Sequence, residues 1–161
     1  MSIHRTAQID YTANVDETAT IGAHCVIGAH VKIGKNCVVD NFVQIESNTT
    51  LEEDVTIYEY THINSHVYIN KASIVGSHCY IEQYVRIGEN VTIHPFTSIY
   101  YGEIGDRVII GDHANIDGGE IGHDSVIGEF VKVLSDIPPN SKIEDFTIVD
   151  DDEDEEEDII Y

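Results

Sequence analysis

An aliphatic residue falls at every sixth position of this chain, seventeen times running, from Ile3, Ile9 and Val15 through to Ile87, Ile93 and Ile99. The position two residues earlier is restricted as well. From Ala7, Ala13, Ala19 and Cys25 through Cys79, Val85, Val91 and Thr97 it is always small or β-branched. Two locked positions in every six residues match neither the 3.6-residue period of a helix nor the strict alternation of a hairpin sheet. They match an all-β solenoid of short parallel strands, each followed by a corner. Three hexads close one turn, which gives about eight coils and no helical domain. The residue after the aliphatic is often Gly, Asp, Glu or Asn (Asp10, Gly22, Gly28, Gly34, Asp40, Glu46, Asn64, Gly76, Gly88). That composition assigns the tight bend of each corner to this position.

The period fails in few places. From Ile99 to Ile104, and again from Ile116 to Ile121, the step is five residues, with Gly102 and Gly119 in the small slot. The two segments, Gly102-Glu103-Ile104-Gly105 and Gly119-Glu120-Ile121-Gly122, are near copies. Their spacing shortens the same corner in two successive coils, and a shortened corner flattens one edge and draws the backbone inward. Such a change is either drift within a repeat array or a groove or subunit contact. After Val133 the repeat fades. Pro138 and Pro139 lack amide donors and are expected to end strand pairing. The chain therefore divides into a β-helix over 1–149 and an acidic tail over 150–161, expected to be disordered because adjacent like charges repel.

Charge limits the partners. The net charge is −22, and nine carboxylates crowd between Asp150 and Asp158, leaving −13 for the body. Eight Lys and Arg cannot supply the basic surface that nucleic acid requires. The tail is instead suited to a basic protein partner. The N-terminal residues show no signal-peptide pattern and no stretch is apolar enough to span a bilayer, so a cytoplasmic location and no membrane contact are expected. Cys25, Cys37 and Cys79 all occupy the small inward slot. Cys25 and Cys79 fall on one column but three coils apart, about 14 Å at ~4.8 Å per coil, and Cys37 lies on another. None is in disulfide reach of another, and all read as buried thiols. Eighteen-residue spacing also places Tyr60 over His78, His62 over Tyr80 and His66 over Tyr84, and an outward aromatic row can mark a contact surface.

The hexads resemble those of the hexapeptide-repeat acyltransferases, over residues 3 to about 149. Local segments add to the likeness. Val91-Thr92-Ile93-His94 is similar to the V-T-I-H segment of lipid A O-acyltransferases. Arg107-Val108-Ile109-Ile110-Gly111-Asp112 and Asn115-Ile116-Asp117-Gly118-Gly119 resemble segments of the related N-acyltransferases. Asp136-Ile137-Pro138-Pro139-Asn140 resembles the terminal turn of many members. The resemblance implies a left-handed coil, a homotrimer, and acyl transfer from a thioester (acyl-coenzyme A or an acyl carrier protein) to a sugar or similar small acceptor. A His general base and a backbone N–H for the oxyanion would carry that chemistry. The candidate catalytic residues are His94, His113 and His123; the thioester-binding residues are not assigned.

Two other readings stay open. The family's A-H-x-x-x-x-G motif does not occur at that spacing, and the ending after the prolines is loosely similar to the small β-helix subunits of dynactin. That likeness implies a non-catalytic scaffold or subunit of a larger assembly. The γ-class carbonic anhydrases share the fold and hold zinc through three His, but the nearest spacing here is His62-x3-His66. No bound cofactor or metal is expected from the sequence.

Overall fold

The computed structural model describes residues 2–150. The chain winds as a left-handed parallel β-helix with three faces. The first face runs from Ser2–Ile3 to Lys142–Ile143 and the second from Gln8–Ile9 to Ile148–Val149, each with nine strands. The third runs from Asn14–Val15 to Glu103–Ile104 with six strands, and single bridges at Ile121 and Ile137 continue it. All pairings are parallel and join equivalent hexads, as in Ile57↔Val75 and Ile63↔Ile81. Each coil donates its amides to the next: Thr20 N–H to Cys37 O at 2.9 Å, Gly22 N–H to Val39 O at 2.8 Å.

The aliphatic of each hexad and the small residue before it fill the core, and from Ala19 to Ile137 these are almost all fully buried. The small slot admits polar groups because it has a built-in acceptor. Thr49, Thr61, Ser73 and Thr97 each donate their hydroxyl to the carbonyl of a corner residue in the next coil, at 2.7–3.0 Å. A buried hydroxyl so paired avoids the desolvation penalty of an unsatisfied one.

The corners differ from the expectation. The left-handed backbone falls not on the residue after the aliphatic but two residues further on, and non-glycine side chains occupy it. Nineteen such residues have φ between 54° and 65°, from His24 and His30 to Asn140 and Phe146. The common first-corner glycines serve close approach instead: a Cβ at Gly22 would lie 2.7 Å from the Asn41 amide nitrogen of the next coil.

The proline expectation is also corrected. Strands continue past Pro138 and Pro139, with Val126↔Lys142 and Lys132↔Ile148 in register. The prolines sit in a corner, where the ladder takes little from their amides, and the Pro138 carbonyl still accepts from Ser125 Oγ at 3.1 Å. The corner following Val133 loses residues too. The next inward aliphatic is Ile137, bridged to Ile121, with Ser135 buried between. Three successive coils are therefore shortened at one edge, not two. The expected disordered tail, apart from Asp150, lies outside the described residues.

Candidate functional site

The three edges of the prism carry different chemistry, set by which side chain occupies the left-handed corner. Between the first and second faces those side chains are aromatic throughout: His24, Phe42, Tyr60, His78, Phe96, His113, Phe130 and Phe146. Their rings stack in one unbroken ladder, with centroids 4.6–5.2 Å apart and interplanar angles of 2–29°. Between the third and first faces the corners are polar apart from Ala72. Asn36 donates to Asp54 at 3.0 Å, and Arg107 grips Asp124 with two hydrogen bonds of 2.6 and 2.8 Å. Between the second and third faces a short ladder, His66 on Tyr84 at 5.0 Å, stops at Gly102 and Gly119.

The three candidate histidines do not converge on one centre. His94 follows the strand Thr92–Ile93 on the first face, and its Nδ1 lies 3.3 Å from Asp112 Oδ1 in the next coil. It borders a groove of 280 Å³, lined chiefly by apolar atoms of Tyr58, Ile74, Thr92, Ile93 and Pro95. His113 stands one coil beyond, inside the aromatic ladder, between Phe96 at 4.8 Å and Phe130 at 4.6 Å. His123 is on the polar edge. Its Nδ1 is 2.7 Å from Asp124 Oδ2, and Asp124 is already held by Arg107. Those two contacts, the Arg107 pair foremost, hold the Asp124 carboxyl well below the usual carboxylate range. Asp112, the partner that distinguishes His94, is not legible in the sequence, because the contact joins first- and second-corner residues of different coils.

The three expected aromatic pairs are all in contact: Tyr60–His78, His62–Tyr80 and His66–Tyr84. On the second face Tyr80 donates its hydroxyl to Glu82 at 2.8 Å, and Asn64 donates to the other Glu82 oxygen at 2.7 Å. His62 lies 3.7 Å from Glu46. His62 and His66 occupy a face and an edge respectively. Among the described residues no three His, Cys, Asp or Glu are grouped to hold a metal ion, and no helix is long and apolar enough to cross a membrane. The three cysteines are free and buried. Each donates to a corner carbonyl of the next coil, at 2.8 Å for Cys25 and Cys37 and 3.2 Å for Cys79. Burial pushes all three thiols up, Cys79 to about 11, which opposes the thiolate that nucleophilic chemistry needs.

A concavity of 590 Å³ lies at the glycine edge. Gly102 has φ 109° and Gly119 φ 77°. A Cβ on Gly102 would overlap the Gly119 carbonyl, and one on Gly119 would lie 2.5 Å from the Ser135 carbonyl. The recess thus requires glycine at both positions.

Residues 30–65 match the bacterial transferase hexapeptide model of six repeats. That match covers less than a quarter of the chain, and over it the chain is similar to the hexapeptide-repeat family. In fold it is similar to the UDP-N-acetylglucosamine acyltransferase of Francisella novicida, at 20% identity and a TM-score of 0.66, over 83% of this chain and 56% of that one. It is also similar to the UDP-N-acetylglucosamine acyltransferase of Campylobacter jejuni, at 19% identity and a TM-score of 0.69, over 86% of this chain and 69% of that one. The chain therefore spans little more than half the length of the first and about two thirds of the second. No curated protein sequence matches it.

Proposed function

We propose that the protein transfers an acyl group from a thioester, acyl-coenzyme A or an acyl carrier protein, to a hydroxyl or amine of a sugar or similar small acceptor, with His94 as general base. The observation that carries this reading is the His94–Asp112 contact of 3.3 Å beside an apolar groove. A carboxylate on Nδ1 fixes the ring and its tautomer and leaves Nε2 to take the acceptor's proton. The carbonyl carbon of the thioester then bonds to the acceptor oxygen or nitrogen, and the thiolate leaves with the proton returned from the imidazolium. The fold shared with two sugar-nucleotide acyltransferases supports the substrate class.

A homotrimer suits this site. The outward residues of the first face from Thr20 to Val126 are Thr, Val or Ile, an uncharged strip along which one subunit can pack on another. The cytoplasm suits three reduced, buried thiols. The test is turnover with acetyl-coenzyme A and a panel of nucleotide sugars. His94→Ala should lower kcat by about 10²-fold or more, while His113→Phe, which keeps the ladder, should leave it within about twofold. Equal loss in both variants sinks the assignment of His94.

A scaffold role is the second reading. One observation favours it: among the described residues no loop leaves the coil, and the two longest stretches between named strands, 117–125 and 134–141, still contribute bridges at Ile121 and Ile137. On this reading the acidic residues from Asp150 onward tether a basic partner. Loss of partner capture on deleting 150–161, with no turnover on any thioester, would select it.

A further inference from the structure

We infer that the recess at the glycine edge binds a small organic cation, an ammonium or guanidinium carried on a short chain. The recess exists because three successive coils are shortened. Tyr84 is the last side chain in the left-handed position on this edge. Its ring is stacked on His66 on one side. On the other side the next coil offers Gly102, so the neighbouring place in the stack, filled by a ring in every coil from the second onward on the aromatic edge, holds no side chain. Tyr84 and Tyr101 both line the recess and are 65% and 71% exposed. An aromatic face left open beside a concavity is a seat for a cation or a planar group.

The charge on the walls decides between them. Glu103, Glu120 and Asp136 enter the recess from three consecutive coils, against a single cation, Arg86. Arg86 directs its guanidinium over the Tyr68 ring, 5.1 Å from its centroid. Asp136 spends one oxygen on the Glu120 backbone amide at 2.8 Å; Glu103 and Glu120 keep theirs for a ligand. A phosphate or carboxylate would meet three like charges to one, inside the field of a strongly acidic protein. An ammonium or guanidinium meets two carboxylates able to form charge-assisted hydrogen bonds and a ring face for its body. The site lies on a different edge from His94 and does not rest on the transferase reading.

The experiment is isothermal titration of the full-length protein with agmatine, with Glu53→Gln as a control that removes an exposed carboxylate elsewhere. The expected result is one-to-one binding, weakened at least fivefold by Glu120→Gln and by Tyr84→Leu and unchanged by Glu53→Gln. Glu120 is exposed and its glutamine variant keeps the fold, so a failure of Tyr84→Leu to fold leaves the test intact. The inference is overturned if agmatine does not bind, if Glu120→Gln and Glu53→Gln bind it alike, or if adenosine monophosphate binds the recess in preference.

Discussion

The aromatic edge and the glycine edge begin as the same structure. Both are rows of left-handed corners stacked one coil apart, and in both a ring meets a ring at about 5 Å. They diverge after Ile99. The aromatic edge keeps its full corner in every coil, so Phe96, His113, Phe130 and Phe146 continue the stack without a gap. The glycine edge loses residues in three coils, its rings end at Tyr84, and the surface caves in. A complete corner with side chains at one-coil spacing closes on itself and leaves ring edges to solvent. An incomplete corner leaves a ring face and backbone open. Regularity stabilises one edge, and its failure creates a site at the other.

The comparison breaks most sharply at the glycines. Gly119→Val forces a Cβ onto the Ser135 carbonyl at a φ of 77°. It should cost roughly 3 kcal/mol or more, read as a lower denaturation midpoint in guanidinium. An unchanged midpoint would mean that the corner can re-form without glycine. Next is the ladder itself. Phe96→Ala removes two stacking partners, each at 4.8 Å, and should cost about 2 kcal/mol. Phe96→Asn should recover part of that, since Asn tolerates the left-handed backbone better than Ala. Identical losses would show that stacking alone sets the value.

Behind the aromatic edge lies Cys79, whose thiol is raised to about 11 by burial. A thiol that stays protonated in the fold but ionises in the unfolded chain stabilises fully below its ordinary range. That contribution is lost as pH rises from about 9 through 11. Wild type should therefore lose on the order of 1 kcal/mol across that window relative to Cys79→Ala, measured by urea unfolding at each pH. Parallel curves for the two proteins would discount the thiol. The smallest effect belongs to the polar edge. Asp54→Asn keeps a side chain that tolerates the left-handed backbone and removes only the charge from an exposed hydrogen bond with Asn36, so it should change stability by less than about 0.5 kcal/mol. A larger loss would give this edge an ordering role that the aromatic edge otherwise holds.

Much of the fold was legible in the hexads, because each inward position has one environment whatever the coil. The spacing of Ile99, Ile104, Ile116 and Ile121 located the shortened corner. It missed the third shortening because Leu134 and Ser135 carry no glycine marker. Proline misled for a related reason: its effect depends on whether its amide faces a ladder, and Pro138 and Pro139 stand in a corner. The ladder was half visible. Fixed eighteen-residue spacing finds Tyr60 over His78, but after Ile99 the coils take seventeen and then sixteen residues. His113, Phe130 and Phe146 therefore fall out of step with a count made in the first coils.

The sequence by itself determined the solenoid, its three faces, its core and the edge where it shortens, because a two-residue strand with one inward aliphatic repeats its local physics at every turn. The tertiary structure alone decided what lies across successive coils. It put His113 inside the aromatic ladder rather than in a cleft and His123 against Asp124. It brought Asp112 to His94, and it left one face of Tyr84 open above two glycines. Apart from the adjacent His123 and Asp124, those relations join residues about one coil apart through a register that each deleted residue shifts, and only the folded stack fixes that register.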